Sequence, residues 1–195
     1  STITERLVWD GRGNNGELVQ SAMDYPYVFT ATDTLGMTST VEGKISVDVL
    51  VIRVGDVLKM AVPSIIFRSD AADFKTEDEL KGGITLAQKT NNERVLKRIA
   101  EILNKFKNYT VTIEGHANNV SGTEAEETQD TVQYGKALKP LSQERAEFVK
   151  EQLKKNGVDS ARLTAVGRGG SQPVVARSDK DNWWKNRRVE FLLNK

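Results

Sequence analysis

Apolar and polar positions keep the rhythm of strands over residues 1–57 and then alternate between strand and helix periods to the end of the chain. In the first part, residues 7–9 are a short apolar segment, and residues 10–16 are dense with turn formers. Residues 25–32 predict a strand with Tyr27 and Phe29 on one face, and residues 33–36 a turn. Residues 44–54 predict one long strand in which Ile45, Val47, Val49 and Val51 alternate with polar positions. From Met60 the pattern changes. Residues 60–67 are apolar, with Pro63 marking a strand start or edge. Residues 70–83 are a polar loop. Thr90-Asn91-Asn92-Glu93 fits a capping box and predicts a helix whose apolar face is Val95, Leu96, Ile99, Ile102, Leu103 and Phe106. Residues 109–114 alternate as a strand, with Tyr109, Val111 and Ile113 against Thr110, Thr112 and Glu114. A second helix opens at Ser142, carries Ala146, Val149 and Leu153 on one face, and stops at Asn156-Gly157. Residues 161–167 and 186–193 are the last two strands. Strands interleaved with helices predict an α/β (α+β) sandwich in residues 58–195, with both helices on one face of a sheet. A small all-β segment, residues 1–57, precedes it.

Composition narrows the possible chemistry. The net charge is +1, from 28 basic and 27 acidic residues, so the whole-molecule field gives no reason to expect nucleic acid. The most apolar run, residues 47–54, is far short of a membrane span and is broken by Asp48 and Arg53. Membrane association would therefore come through regions outside this chain, and no signal-peptide pattern opens it. There are no cysteines and one histidine, which excludes disulfides, cysteine catalysis and thiolate metal sites. A metal would need a carboxylate-rich site.

Four places could carry chemistry. With Ser142 as N-cap, Arg145 falls in the first helical turn, where a cation is unfavourable by about 0.3–1 kcal/mol unless an anionic ligand reverses the sign. A guanidinium there can hold a carboxylate bidentately; it can equally pair with Glu144, Glu147 or a loop acid. The strand over residues 109–114 ends at Gly115, which lets the chain turn or approach a ligand closely and projects His116 and Asn118. His116 can instead be partly buried structure and Asn118 a turn former. Arg187 and Arg188 enter the last strand behind Trp183 and Trp184, whose rings can stack on a sugar or peptide, or pack on the sheet edge. Gly167-Arg168-Gly169-Gly170 lacks phosphate-loop order, and the acidic residues 124–130 lack Ca²⁺-loop spacing and read as a solvated face. No nucleophile–base pair is spaced for catalysis, so a non-enzymatic protein without cofactors is expected.

Together these segments resemble a known family. Val111-Thr112-Ile113-Glu114-Gly115-His116, Leu141-Ser142-Gln143-Glu144-Arg145-Ala146, the stretch from Asn156-Gly157-Val158 to Gly167-Arg168-Gly169 and Pro173, and Asn186-Arg187-Arg188-Val189-Glu190 are similar to four ordered motifs of OmpA-like domains. The resemblance spans nearly all of residues 60–195. It implies an α/β sandwich that anchors envelope components to the cell wall without covalent linkage, in the periplasm and beside the outer membrane. The implied ligand is the diaminopimelate of the peptidoglycan peptide stem, its ammonium received by an Asp and its carboxylate clamped by an Arg. Arg145 matches the Arg. Asn118 stands where the Asp belongs, and Ala117 replaces a Thr hydroxyl. Ser142 and Arg188 fall within the matching motifs. Losing the acidic charge would weaken an ammonium contact by about 1–3 kcal/mol. In residues 1–57, Trp9-Asp10-Gly11-Arg12-Gly13-Asn14-Asn15-Gly16 followed by Tyr27-Val28-Phe29-Thr30-Ala31-Thr32-Asp33 resembles the late part of FlgD-type bacterial immunoglobulin-like domains, with the remaining strands expected upstream of Ser1. The segment between Asn118 and Leu141 is about twice the family's usual length and carries Glu124, Glu126, Glu127 and Asp130, which could rebuild the missing charge or cover the site. Two readings follow: a wall-associating domain with an altered pocket, or an envelope interaction module that has lost peptidoglycan binding and contacts a protein partner.

Overall fold

The computed structural model describes residues 8–118 and 137–195. The expectations for Leu7 and for residues 119–136, including the role of Glu124, Glu126, Glu127 and Asp130, lie outside the described residues. The first pair of strands, β1 (Met23–Thr32) and β2 (Thr38–Val47), forms an antiparallel hairpin in register from Met23↔Val47 to Thr32↔Thr38. Asp33 ties its turn by accepting from the amides of Leu35 and Met37. Tyr27, Phe29, Val41 and Ile45 of the hairpin are exposed.

The long strand expected over residues 44–54 is two strands. After Val47 the chain leaves the hairpin, and β3 (Val51–Val54) joins a second sheet by pairing with β4 (Val57–Met60). Ser21 holds the crossing, its fully buried hydroxyl bonded to both the amide and the carbonyl of Leu50. The strand expected over residues 60–67 keeps only Met60, because Pro63 removes a ladder donor and a side chain takes the backbone of Ile66 instead.

The second sheet has the order β3-β4-β7-β5-β6, where β5 is Thr110–Gly115, β6 is Leu163–Gly167 and β7 is Val189–Asn194. β5 and β6 run parallel; β7 is antiparallel to both β5 and β4. Among the described residues, two helices, α1 (Leu86–Lys105) and α2 (Leu138–Lys155), pack on it. Their apolar stripes, Val95, Leu96, Ile99 and Leu103 from α1 and Ala146, Val149 and Leu153 from α2, share one core with Met60, Val111, Ile113, Leu163 and Phe191 of the sheet. The fold is the expected α+β arrangement preceded by a small antiparallel sheet.

Both helices start earlier than their capping signals suggest. Thr85 caps α1, exchanging bonds with Gln88 in a capping box one turn ahead of the Thr90–Glu93 pattern. α2 begins at Leu138 with Ala137 as N-cap, so Arg145 lies two turns inside the helix. Arg145 is therefore beyond the reach of the helix-end field, which falls off within the first turn. Arg162, in a 3₁₀ turn before β6, closes the other end of α1 by donating to the carbonyls of Leu103, Phe106 and Tyr109.

Candidate binding cleft at the ends of β5 and β7

A glycine decides how close α2 comes to the sheet. A Cβ on Gly115 would stand 2.1 Å from the carbonyl oxygen of Ser142, so only glycine lets the helix backbone rest on the end of β5. The close approach expected at Gly115 exists, but its partner is α2. Ser142 serves the same contact: its buried hydroxyl donates to the Lys139 carbonyl and accepts from the Gly169 amide. Ala117 is buried and its amide donates to the Gly169 carbonyl.

With α2 held there, Arg145 reaches across to residues 68–71. Its Nε donates to the Ala71 carbonyl at 3.0 Å and its Nη2 to the Arg68 carbonyl at 3.1 Å, and the guanidinium lies 5.2 Å from the centre of the Phe67 ring. Only 7% of the residue is exposed. Burial, reinforced by the charge of Arg187, lowers its pKa to about 10, against the pull of Asp70 and Glu144. Among the described residues, Arg145 is thus fixed by backbone carbonyls rather than by an ion pair.

Beside it lies a cleft of about 250 Å³ lined by Ile66, Phe67, His116, Arg145, Trp184, Arg187 and Arg188, with Ser64 and Ile65. Asn92 of α1 fixes one wall: it is 1% exposed, accepts from the Ile66 amide and donates to the Ile66 carbonyl. A 3₁₀ segment, Lys180–Asn186, supplies the opposite wall, so the strand expected from residue 186 begins only at Val189. Asn186 anchors that wall through the amides of Val174 and Val175. Of the tryptophan pair, Trp184 is half-exposed and lines the cleft. Among the described residues the buried indole Nε1 of Trp183 has no partner, and Arg177 lies over its ring. Asn118 sits at the cleft's margin, its amide donating to the Trp183 carbonyl at 3.3 Å and its oxygen accepting from Arg187 Nη1 at 3.4 Å.

Behind the cleft is a charge cluster that the pattern of the chain did not announce. Glu114 and Glu190 face each other across β5 and β7 and are both buried. Alternation in β5 assigned Glu114 to the polar face, and like charges in that position repel unless cations intervene. Arg168 donates to Glu114 Oε1 through Nε and Nη2. Glu190 Oε1 accepts from Lys59 Nζ at 2.5 Å and from Arg188 Nε at 2.5 Å. Burial works against the Glu190 charge, but these two bonds outweigh it and hold its pKa below the usual carboxylate value. His116 Nε2 stands 3.9 Å from Oε2 of each glutamate, beyond hydrogen-bond range, and neither of its ring nitrogens has a partner among the described residues. Burial, then the charge of Arg188, lowers the His116 pKa to about 4, so the ring is neutral near pH 7. Glu114, His116 and Glu190 are close enough together to suggest a metal. The two carboxylates already face three cations, Lys59, Arg168 and Arg188, and a divalent ion would add charge to a buried site that is net positive.

The structure therefore brings Arg145, His116 and Arg188 together in the cleft wall and puts Asn118 at its edge, while Ser142 and Ala117 serve the packing beneath it. Phe67 and Arg187 line the cleft as well, and Asn92 holds its wall through Ile66. Asn92 was hidden inside an apparent capping box, and Phe67 inside an apparent strand.

A mixed sheet with α1 and α2 packed on it, and a buried arginine on α2, defines the class as an α+β domain. The OmpA family matches residues 81–187, more than half the chain, and this chain belongs to that family. It is 32% identical over 133 residues to the peptidoglycan-associated lipoprotein of Buchnera aphidicola, covering 65% of this chain and 69% of that protein. It is 30% identical over 101 residues to the peptidoglycan-associated lipoprotein of Agrobacterium fabrum, covering 52% of this chain and 50% of that protein. The match thus spans about half the length of the Agrobacterium relative. The fold is shared with the periplasmic domain of Helicobacter pylori MotB, with a TM-score of 0.54 at 19% identity over 75% of this chain and 79% of that one. The family match does not reach the N-terminal hairpin, and the immunoglobulin-like resemblance there gains no support.

Proposed function

We propose that residues 58–195 form a non-catalytic cell-envelope module that associates with the peptide stem of peptidoglycan in the periplasm. The observation that carries this reading is Arg145. Among the described residues it lines a cleft beside Arg188 and His116, with an aromatic wall and no acidic side chain, which suits a carboxylate. Family membership and the names of the relatives support the same reading. Asn118 offers no charge to an ammonium group, so binding is weaker than in a site that has an Asp there.

The test is co-sedimentation with purified peptidoglycan, comparing wild type, Arg145→Ala, Arg145→Lys and Asn118→Asp, each checked for folding. Wild type is expected in the pellet. Removing the guanidinium lowers affinity about tenfold or more, with Arg145→Lys recovering part of it. Pelleting of a folded Arg145→Ala protein at the wild-type level would refute the assignment. Failure of wild type to pellet would favour a module that contacts an envelope protein partner. The bonds that Arg145 and Asn118 already make within the chain are the observation that would then explain the loss.

A further inference from the structure

The walls of the cleft carry charge of one sign. Arg145, Arg187 and Arg188 line it, His116 is neutral, and no Asp or Glu lines it among the described residues. The carboxylates behind it do not balance these cations. Glu190 is shared between Arg188 and Lys59, and Glu114 is taken by Arg168. Arg187 and Arg145 repel each other across the cleft, which is one reason the Arg145 pKa falls. Two further groups lack partners among the described residues: Nη1 of Arg188 is buried with no acceptor, and both nitrogens of the 2%-exposed His116 are unbonded. An anionic oxygen would satisfy the donor and relieve the repulsion at once. Between the cationic positions the surface is hydrocarbon and aromatic, from Ile65, Ile66, Phe67 and Trp184.

Resting on the peptide-stem reading above, we propose that this cleft selects a ligand segment with two carboxylates joined by an aliphatic spacer and no ammonium group, and that Arg187 sets this preference. One carboxylate meets Arg145, the other meets Arg187 and Arg188, and the spacer lies on Phe67 and Trp184. Arg187 also donates to Asn118 Oδ1, so the polar group nearest an incoming amine is already covered by a guanidinium. A zwitterion would place its ammonium among three like charges, whereas a dicarboxylate would not.

The experiment is titration calorimetry of the intact chain with two probes of equal length, pimelate and meso-diaminopimelate, which differ only in the two amino groups. Pimelate is expected to bind about tenfold tighter or more. Arg187→Ala is expected to weaken pimelate about tenfold and to leave diaminopimelate unchanged or tighter, collapsing the ratio. Among the described residues the Arg187 side chain bonds to Asn118 and to no core residue, and a thermal melt confirms that the variant folds. Tighter binding of diaminopimelate by wild type overturns the proposal, as does an unchanged ratio in folded Arg187→Ala, or binding of neither probe at ~10 mM. Sedimentation with peptidoglycan that depends on Arg145 alongside any of these outcomes would leave the peptide-stem reading standing and remove only the dicarboxylate preference.

Discussion

Replacing Gly115 with Ala tests how the cleft is held together. The added Cβ would lie 2.1 Å from the Ser142 carbonyl oxygen, 3.0 Å from its carbonyl carbon and 3.4 Å from Ala146 Cβ. Ordinary carbon–oxygen contacts are about 3.3–3.6 Å, so α2 and β5 must separate by roughly 1 Å. A gap of that size forfeits about a quarter to a half of each affected dispersion contact. The helix cannot yield freely, because Ala146, Val149 and Leu153 behind the contact are fully buried. Overpacking typically costs about 1–3 kcal/mol, and a clash with helix backbone belongs at the upper end, about 3 kcal/mol. For a chain of this size that lowers Tm by roughly 6–12 °C. The assay is urea and thermal unfolding followed by circular dichroism, with Gly82→Ala as control. Gly82 has φ +79° and nothing within 4 Å, so it carries conformational strain without a clash and should cost about 1 kcal/mol. Because α2 carries Arg145 and β5 leads into His116, Gly115→Ala should also weaken carboxylate binding in whatever fraction stays folded. A loss below about 0.5 kcal/mol, or one no larger than that of Gly82→Ala, would refute the argument that close approach of the helix requires glycine here.

Two other outcomes follow from the same geometry. The folded pKa of His116, about 4, lies below its unfolded value of 6.5, so the unfolded chain binds the extra proton first. The contribution of His116 to stability is complete above pH 6.5 and is lost as pH falls toward 4, by up to about 3 kcal/mol. Urea midpoints between pH 7 and pH 4.5 should show this slope in wild type and not in His116→Gln; an equal slope in both would place the titration elsewhere. Asn92→Ala leaves the amide and carbonyl of Ile66 without their partner in a buried wall, costing about 2–3 kcal/mol. It should weaken pimelate binding even where the protein remains folded, and unchanged stability in urea would show that the wall is held by other contacts.

Much of the architecture follows from the order of residues alone. The apolar stripes of α1 and α2 and the alternation of β5 have a single face each to bury, and that is enough to specify an α+β sandwich. The motifs around His116, Arg145 and Arg188 also identify the family, because their order and spacing survive without knowledge of contacts. Local pattern failed where a side chain serves a distant backbone. Asn92 looks like part of a helix cap but bonds to Ile66, Pro63 ends a strand that the apolar run promised, and Ser21 draws the chain out of the hairpin through Leu50. The electrostatics of the cleft belong wholly to the tertiary structure. Lys59, Glu114, His116, Arg168, Arg188 and Glu190 come from four separate strands and loops, and their charges acquire meaning only when the β5–β7 register sets two glutamates face to face. Whether Arg145 was a helix-end anion site or a buried clamp was likewise decided by where α2 begins. Sequence sets the periodicity, which is local, while hydrogen bonding and charge balance depend on distances that only folding creates.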